Sequence, residues 1–447
     1  MGAEAPIEYD LRWPVVSLAE IAIKIGSGAT PKGGADAYLP SRARFALVRS
    51  QNVFDRRFDH DGLAFISDEQ AEGLRGVVLR PADILLNITG DGITFGRACM
   101  VPKDVLPACV NQHVSIIRLD PQRADAGYVL AFLTHPDVKS YIESFNAGGS
   151  RRAVTKGHIE SFRLPLPPLP EQRAIAHILG TLDDKIELNR RINETLEAMA
   201  RALFKSWFVD FDPVRSKAEG RDSGLPKPFA DLLPDSFEDS ELGEIPKGWV
   251  VGSVDDEFDL TMGQSPPGET YNEVGEGLPF YQGRADFGIR FPTRRVYCNA
   301  PTRLASAGDA LISVRAPVGD INIATERCAI GRGVAAARHK TGSRSYSYQF
   351  MHSIEEVFAR FEGEGTVFGS IGKKDFHAIP CVMPPRDLVL AFEKCLSPID
   401  ERIEVNERES RTLATLRDTL LPKLLAGEVK GTFHYGLDTE MPPTTKE

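Results

Sequence analysis

Apolar residues recur at steps of three and four in two well-separated stretches of the chain. From Glu171 to about Phe208 there is no Pro and one Gly. Leu182, Ile186, Ile192, Leu196, Met199 and Leu203 follow one another there, with Asn189 filling the gap. The rhythm returns as Ile399, Ile403, Asn406, Leu413, Leu416 and Leu420, with Glu409 interrupting the row. This is the a/d pattern of a coiled coil, so the spacing predicts two long helices that bury their stripes against each other. Elsewhere, short apolar runs such as Ala82 to Ile88 and Ala310 to Val314 lie between Gly/Pro turns and read as strands.

The chain also repeats itself. Ile159 to Pro168 aligns with Phe376 to Pro385, and Leu182 to Asn189 with Ile399 to Asn406, at one offset of 217 residues (159 to 376, 182 to 399). Trp13 to Leu18 and Trp249 to Val254 match more loosely, as loop insertions would cause. One structural unit has been duplicated. The expected architecture is mixed α/β (α+β): two pseudo-symmetric domains at 1–168 and 249–385, followed by helices at 169–208 and 386–426. The helices are expected to pair as an antiparallel coiled coil. The linker at 209–248, rich in Asp, Pro and Gly, is expected to be ordered only in part, and the tail at 427–447 to be mobile.

Asn189 and Asn406 fall in the apolar rows, either as a register device or as solvated edge residues. About 30 helical residues span about 45 Å, compared with about 34–36 Å for one turn of B-DNA. A rod of that length could act as a ruler between two DNA-reading domains.

Composition narrows the function. The chain has 447 residues, a 42% apolar fraction, no run long enough to span a membrane and no signal-peptide pattern at its start, so a soluble cytoplasmic protein is expected. A net charge of −10 argues against a protein that coats DNA non-specifically, but not against local basic loops. The six cysteines are scattered, which indicates buried thiols and no metal site.

Catalytic signatures are missing. The Asn-Pro-Pro-aromatic motif of amino-methyltransferases does not occur. Gly372-Lys373 fails as a phosphate loop, because Val367 stands at the first Gly position and Lys374 at the Ser/Thr position. Gly26-Ser27-Gly28 lacks the third Gly of a dinucleotide fingerprint. Asp183-Asp184 and Asp400-Glu401 read as a solvated face or docking surface on the helices, and His113 and His158 as structural histidines.

One ordered set of motifs carries a resemblance. Leu164-Pro165-Leu166-Pro167-Pro168-Leu169-Pro170-Glu171-Gln172, then Trp207 to Val214, then Ser240 to Trp249, and finally Leu420 to Val429, resemble type I restriction-modification specificity subunits. The second copy departs at Pro384-Pro385-Arg386-Asp387, which leaves the start of its helix open. The resemblance implies a non-catalytic subunit whose two target-recognition domains each read half of a split double-stranded DNA site. It further implies two modification subunits docked on the helices, two restriction (motor and nuclease) subunits, and S-adenosylmethionine, ATP and Mg used by those partners rather than by this chain. The competing readings are a coiled-coil scaffold that does not touch DNA, and a reader fused to its own nuclease or methyltransferase.

Base readout needs paired donors and acceptors presented on loops. The first domain offers Ser27, Thr30 and Lys32; Arg49, Gln51 and Asn52; and Ser150, Arg151, Arg152, Thr155 and Lys156. The second offers Gln264, Gln282, Arg284, Arg315, Ser370, Lys373 and Lys374.

Overall fold

The computed structural model describes residues 7, 10, 13–31, 33–90, 94–144, 152–362 and 369–429. Two helices of 40 residues dominate the element order: α1 (Leu169–Phe208) and α2 (Arg386–Leu425). Each starts immediately after a Pro-Pro pair, and their limits obey the sequence repeat (169 to 386, 208 to 425). The altered residues at the second entry therefore leave the helix start in register. At 1.5 Å per residue each helix is about 60 Å long, more than the apolar rows implied. The extra turns lie upstream of those rows: Pro170 is tolerated in the first turn of α1, and Ile175 and Leu179 then join the first unit's core, which also takes in Leu421, Leu424 and Leu425 of α2.

The chain forms two compact units, Met1–Arg190 with Glu407–Glu447, and Arg191–Asn406. The first contains β1 (Ala22–Ser27), β2 (Phe45–Val48), β3 (Ala64–Ile66), β4 (Ile84–Asn87), β5 (Ala98–Met100), β6 (Ala108–Val110) and β7 (Val114–Leu119). An antiparallel sheet runs β1-β7-β4-β5, and a smaller one runs β6-β2-β3 with β6 parallel to β2. Alternate residues of β7 explain the layering. Ile117 and Leu119 enter the core shared with the helices Ala126–Leu133 and Pro136–Ser144, whereas Val114 and Ile116 face a second core beneath the smaller sheet.

The second unit repeats the plan with β8 (Phe258–Met262), β9 (Leu278–Tyr281), β10 (Ala310–Val314), β11 (Val318–Ile323), β12 (Cys328–Ile330) and β13 (Val334–His339). Its antiparallel sheet runs β8-β13-β10-β11, and β9 lies parallel to β12 in the other. Ala335 and Ala337 of β13 face the larger core, Val334 and Ala336 the smaller. In each unit the strand that follows Trp13 or Trp249 pairs with the Pro-rich exit: Val15–Ser17 with Arg163–Pro165, and Val250–Ser253 with Pro380–Met383.

Within each unit the two helices run antiparallel. In the first, Asp183 pairs with Arg417 at 2.7 Å and Asn189 donates to Glu409 at 2.8 Å, so numbers fall on α2 as they rise on α1. In the second, Asn406 donates to Asn193 at 2.8 Å, while Phe392 packs edge-on against Phe204, Trp207 and Phe208.

Three expectations need correction. Met199 and Leu416 are exposed rather than in the seam; the buried row of α1 runs Asn193, Glu197, Ala200, Phe204, Trp207. Neither a small alanine nor an acid registers as apolar periodicity. Asp183 and Asp400 are not solvated: Asp183 holds Arg56 and Arg417, and Asp400 is buried against Arg290 and Ser345. The 209–248 linker carries regular elements, with helices Asp212–Ala218 and Lys227–Ala230 and a hairpin of Phe237–Ser240 with Gly243–Pro246. Its composition concealed Phe211, Val214, Leu233 and Ile245, which are buried in the second unit's core. Residues 430–447, most of the predicted mobile tail, lie outside the described residues.

Candidate nucleic-acid interface

Strand direction gathers the loops of each domain at one end of its sheets. In the first, β1 ends at Ser27 opposite Ser115 of β7, β4 ends at Asn87 opposite Val114, and β2 and β6 end together at Val48 and Val110. The residues that follow them, Gly28 to Thr30, Arg49 to Asn52, Ile88 to Gly90 and Asn111 to His113, therefore converge. Gly28 is required there: a Cβ on it would lie 1.7 Å from the Val110 carbonyl oxygen. The short ladder of Thr89–Gly90 with Arg152–Ala153 closes the group.

Not every predicted contact residue is available for DNA. Asn52 is buried and donates to the carbonyls of Asp59 and Asp61 at 3.0 and 3.1 Å, so it builds its own loop. Arg49 and Gln51 both donate to the Gly62 carbonyl, and the Arg49 guanidinium lies over Tyr38. Ser27, Thr155 and Lys156 are exposed, and Lys156 pairs with Glu160 at 3.4 Å. Lys32, Ser150 and Arg151 lie outside the described residues, and of Arg152 only the backbone is described.

The sequence reading passed over the hub of this cluster. Gln112 is exposed, its Oε1 accepts from the Thr30 hydroxyl, and its Nε2 lies 3.2 Å from His113 Nε2. His113 Nδ1 is 2.6 Å from Thr89 Oγ1. A single tautomer satisfies this chain, with His113 donating from Nδ1 and accepting from Gln112 at Nε2. Four side chains from three loops are thus held as one network. Nothing in the local sequence marks Gln112; its setting depends on strand pairings more than 60 residues apart.

The second domain builds the same site with different chemistry. Gly263 and Gln264 follow β8, Gln282 to Arg284 follow β9, Arg315 follows β10, and Gly331 to Gly333 link β12 to β13. Arg315 bridges to Ser370, with Ala316 N–H donating to the Gly369 carbonyl at 3.0 Å. Gln264, Gln282, Arg284, Arg315, Ser370, Lys373 and Lys374 are all exposed. Arg284 is held 3.1 Å from Asp320. The residue missed by sequence is Arg332, exposed at the place Gln112 occupies in the first domain.

Asn189 and Asn406 are both fully buried. Asn189 donates to Glu409 and, at 3.3 Å, to Ser410, and Asn406 donates to Asn193. The 217-residue offset relates Asn193 to Ser410, so both asparagines make the same polar contact. Glu409, which broke the apolar row, is a partner of Asn189 and of Lys185 at 3.2 Å.

Each domain is also fastened to the helices. Arg56 pairs with Asp183 at 2.8 Å in the first. In the second, Arg290 is nearly inaccessible between Glu197 at 2.6 Å and Asp400, with Tyr348 against its guanidinium. Burial disfavours the charge on Arg290, but Asp400 and Glu197 outweigh that and raise its pKa above the usual value. Cys99, Cys109, Cys298, Cys328 and Cys381 are buried and Cys395 partly so; burial pushes Cys109 up to about 11 and Cys381 up to about 12, out of the thiolate range. No helix among the described residues is long and apolar enough to cross a membrane.

Residues 77–198 match the family model described as type I restriction modification DNA specificity domain. The chain is 29% identical over 423 residues to a putative type I restriction enzyme specificity subunit of Methanocaldococcus jannaschii, with 94% of each chain covered. It is 24% identical over 447 residues to the type I restriction enzyme HindI specificity subunit of Haemophilus influenzae, covering 86% of this chain and 94% of that one. The fold resembles the crystal structure of a type I restriction-modification S subunit from M. genitalium, with a TM-score of 0.55 and 14% identity over 95% of this chain and 99% of that one. Over most of its length the chain is therefore similar to type I restriction enzyme specificity subunits, and residues 77–198 carry their DNA specificity domain pattern.

Proposed function

We propose that each domain of this chain reads one half of a bipartite DNA site, and that α1 and α2 set the gap between the halves and dock two modification subunits. The observation that carries this reading is the recurrence of one loop cluster, rich in exposed donors, at the same end of the same sheet in both domains. A reader of split sites needs two such surfaces, with different side chains on a shared frame. For docking, the support is a pair of exposed apolar positions repeated between the helices: Leu188 (51% exposed) with Val405 (47%), and Met199 (49%) with Leu416 (44%), related by the same 217-residue offset (188 to 405, 199 to 416). A duplicated apolar surface suits two copies of one partner. Restriction subunits join the same complex in this reading, and S-adenosylmethionine, ATP and Mg serve the partners.

The test is methylome sequencing of a host expressing the chain with its modification subunit, beside the same host carrying Arg315→Ala. A methylated motif of two short halves around a fixed gap, with one half degraded by the substitution, is the expected result. A complex with active modification subunits but no new methylated motif would favour the scaffold reading.

A further inference from the structure

The three-residue turn leading into the central strand has the same main chain in both domains. In the first, Asn111 N–H donates to the Val48 carbonyl at 3.0 Å and Val114 N–H to the Asn111 carbonyl at 3.4 Å. In the second, Gly331 N–H donates to the Tyr281 carbonyl at 2.8 Å and Val334 N–H to the Gly331 carbonyl at 3.0 Å. The middle residue, Gln112 or Arg332, is exposed in each case between neighbours that are buried or half-buried. The flanking positions are committed to the frame. A Cβ on Gly333 would lie 2.2 Å from the Gln282 carbonyl oxygen, and Asn111 Oδ1 accepts from the His113 N–H.

The two middle side chains differ in the way that matters for base edges. Among the described residues the Arg332 guanidinium has no hydrogen-bond or ion-pair partner, so its donors remain available. Its backbone is fixed by donation to Ser265 Oγ at 3.3 Å. Gln112 spends one lone pair on Thr30 and one N–H on His113, which orients the amide and leaves one donor and one acceptor outward. Paired donors match the O6 and N7 acceptors of guanine, and one donor with one acceptor matches the N7 and N6 groups of adenine.

Building on the half-site reading proposed above, we infer that this turn carries a base-reading residue in each domain: Arg332 specifies a G·C pair in one half-site and Gln112 an A·T pair in the other, both in the major groove. The full chain assembled with its modification subunits is used to methylate a plasmid library containing the wild-type site with every specified position randomised. Arg332→Ala is expected to reduce discrimination at one G·C position of one half by roughly 10- to 100-fold, leaving the other half intact. Gln112→Ala is expected to do the same at one A·T position of the opposite half. Arg332→Gln, which keeps a polar side chain on the same turn, is expected to shift that position from G·C towards A·T, an effect that loss of structure cannot produce. An unchanged motif in all three variants, or a uniform fall in methylation at every position, overturns the inference while the bipartite reading stands. A wild-type complex with no bipartite motif overturns both.

Discussion

Arg290 shows how much of this molecule rests on single buried side chains. Its guanidinium is enclosed with two carboxylates from the helices, Glu197 and Asp400, and Ser345 also donates to Asp400. Arg290→Ala would leave two acids buried beside each other without a cation, a loss expected to cost about 3–5 kcal/mol. Chemical denaturation of the full chain should show it, and a change within 1 kcal/mol of wild type would mean that water or a side-chain shift relieves the site. Sequence alone singled out Asp400 but neither Glu197 nor the role of either acid, because Arg290 is more than 90 residues from both. Residue-level reading was least informative in the donor-rich loops. Arg49, Gln51 and Asn52 have the composition of a contact motif, yet Asn52 spends both amide hydrogens on Asp59 and Asp61, and Arg49 and Gln51 each turn one N–H to Gly62. Composition counts donors, whereas only tertiary structure shows which of them are already engaged.

At the scale of elements, the helices were the most legible part, since three-and-four spacing and Pro boundaries are local properties. Which side of each helix is buried was less so, because Glu197 and Ala200 occupy seam positions while Met199 and Leu416 point outward. These outward residues, with Leu188 and Val405, have a testable role. Leu188→Asp with Val405→Asp should leave the melting temperature of the isolated chain within a few degrees of wild type, since exposed positions contribute little to stability. The same variant should lose co-purification with the modification subunit by tenfold or more. Full retention of the partner would assign docking to another surface.

For the whole molecule, the repeat was the decisive sequence feature, because a constant offset through proline-rich exit and helix fixed the duplicated plan before any strand could be placed. The strands were harder to place: β13 is apolar on both faces, since each packs a separate core, and so lacks the alternation of a half-exposed strand. If the helices measure the gap, inserting one heptad after Arg190 and one after Glu407, positions related by the same offset (190 to 407), should lengthen each helix by about 10.5 Å. The methylated motif should then keep both halves and gain about three base pairs between them, at about 3.4 Å per pair. An unchanged gap would show that the spacing is set elsewhere. The turn bearing Gln112 or Arg332 is held by main-chain bonds, so its middle residue can change without disturbing a buried atom. If modification and restriction subunits both take their target from this chain, as proposed above, a single codon there would rewrite the sequence that the complex protects and the sequence that it attacks in the same step. A host acquiring such a change would not carry a nuclease whose targets its own methylase fails to mark.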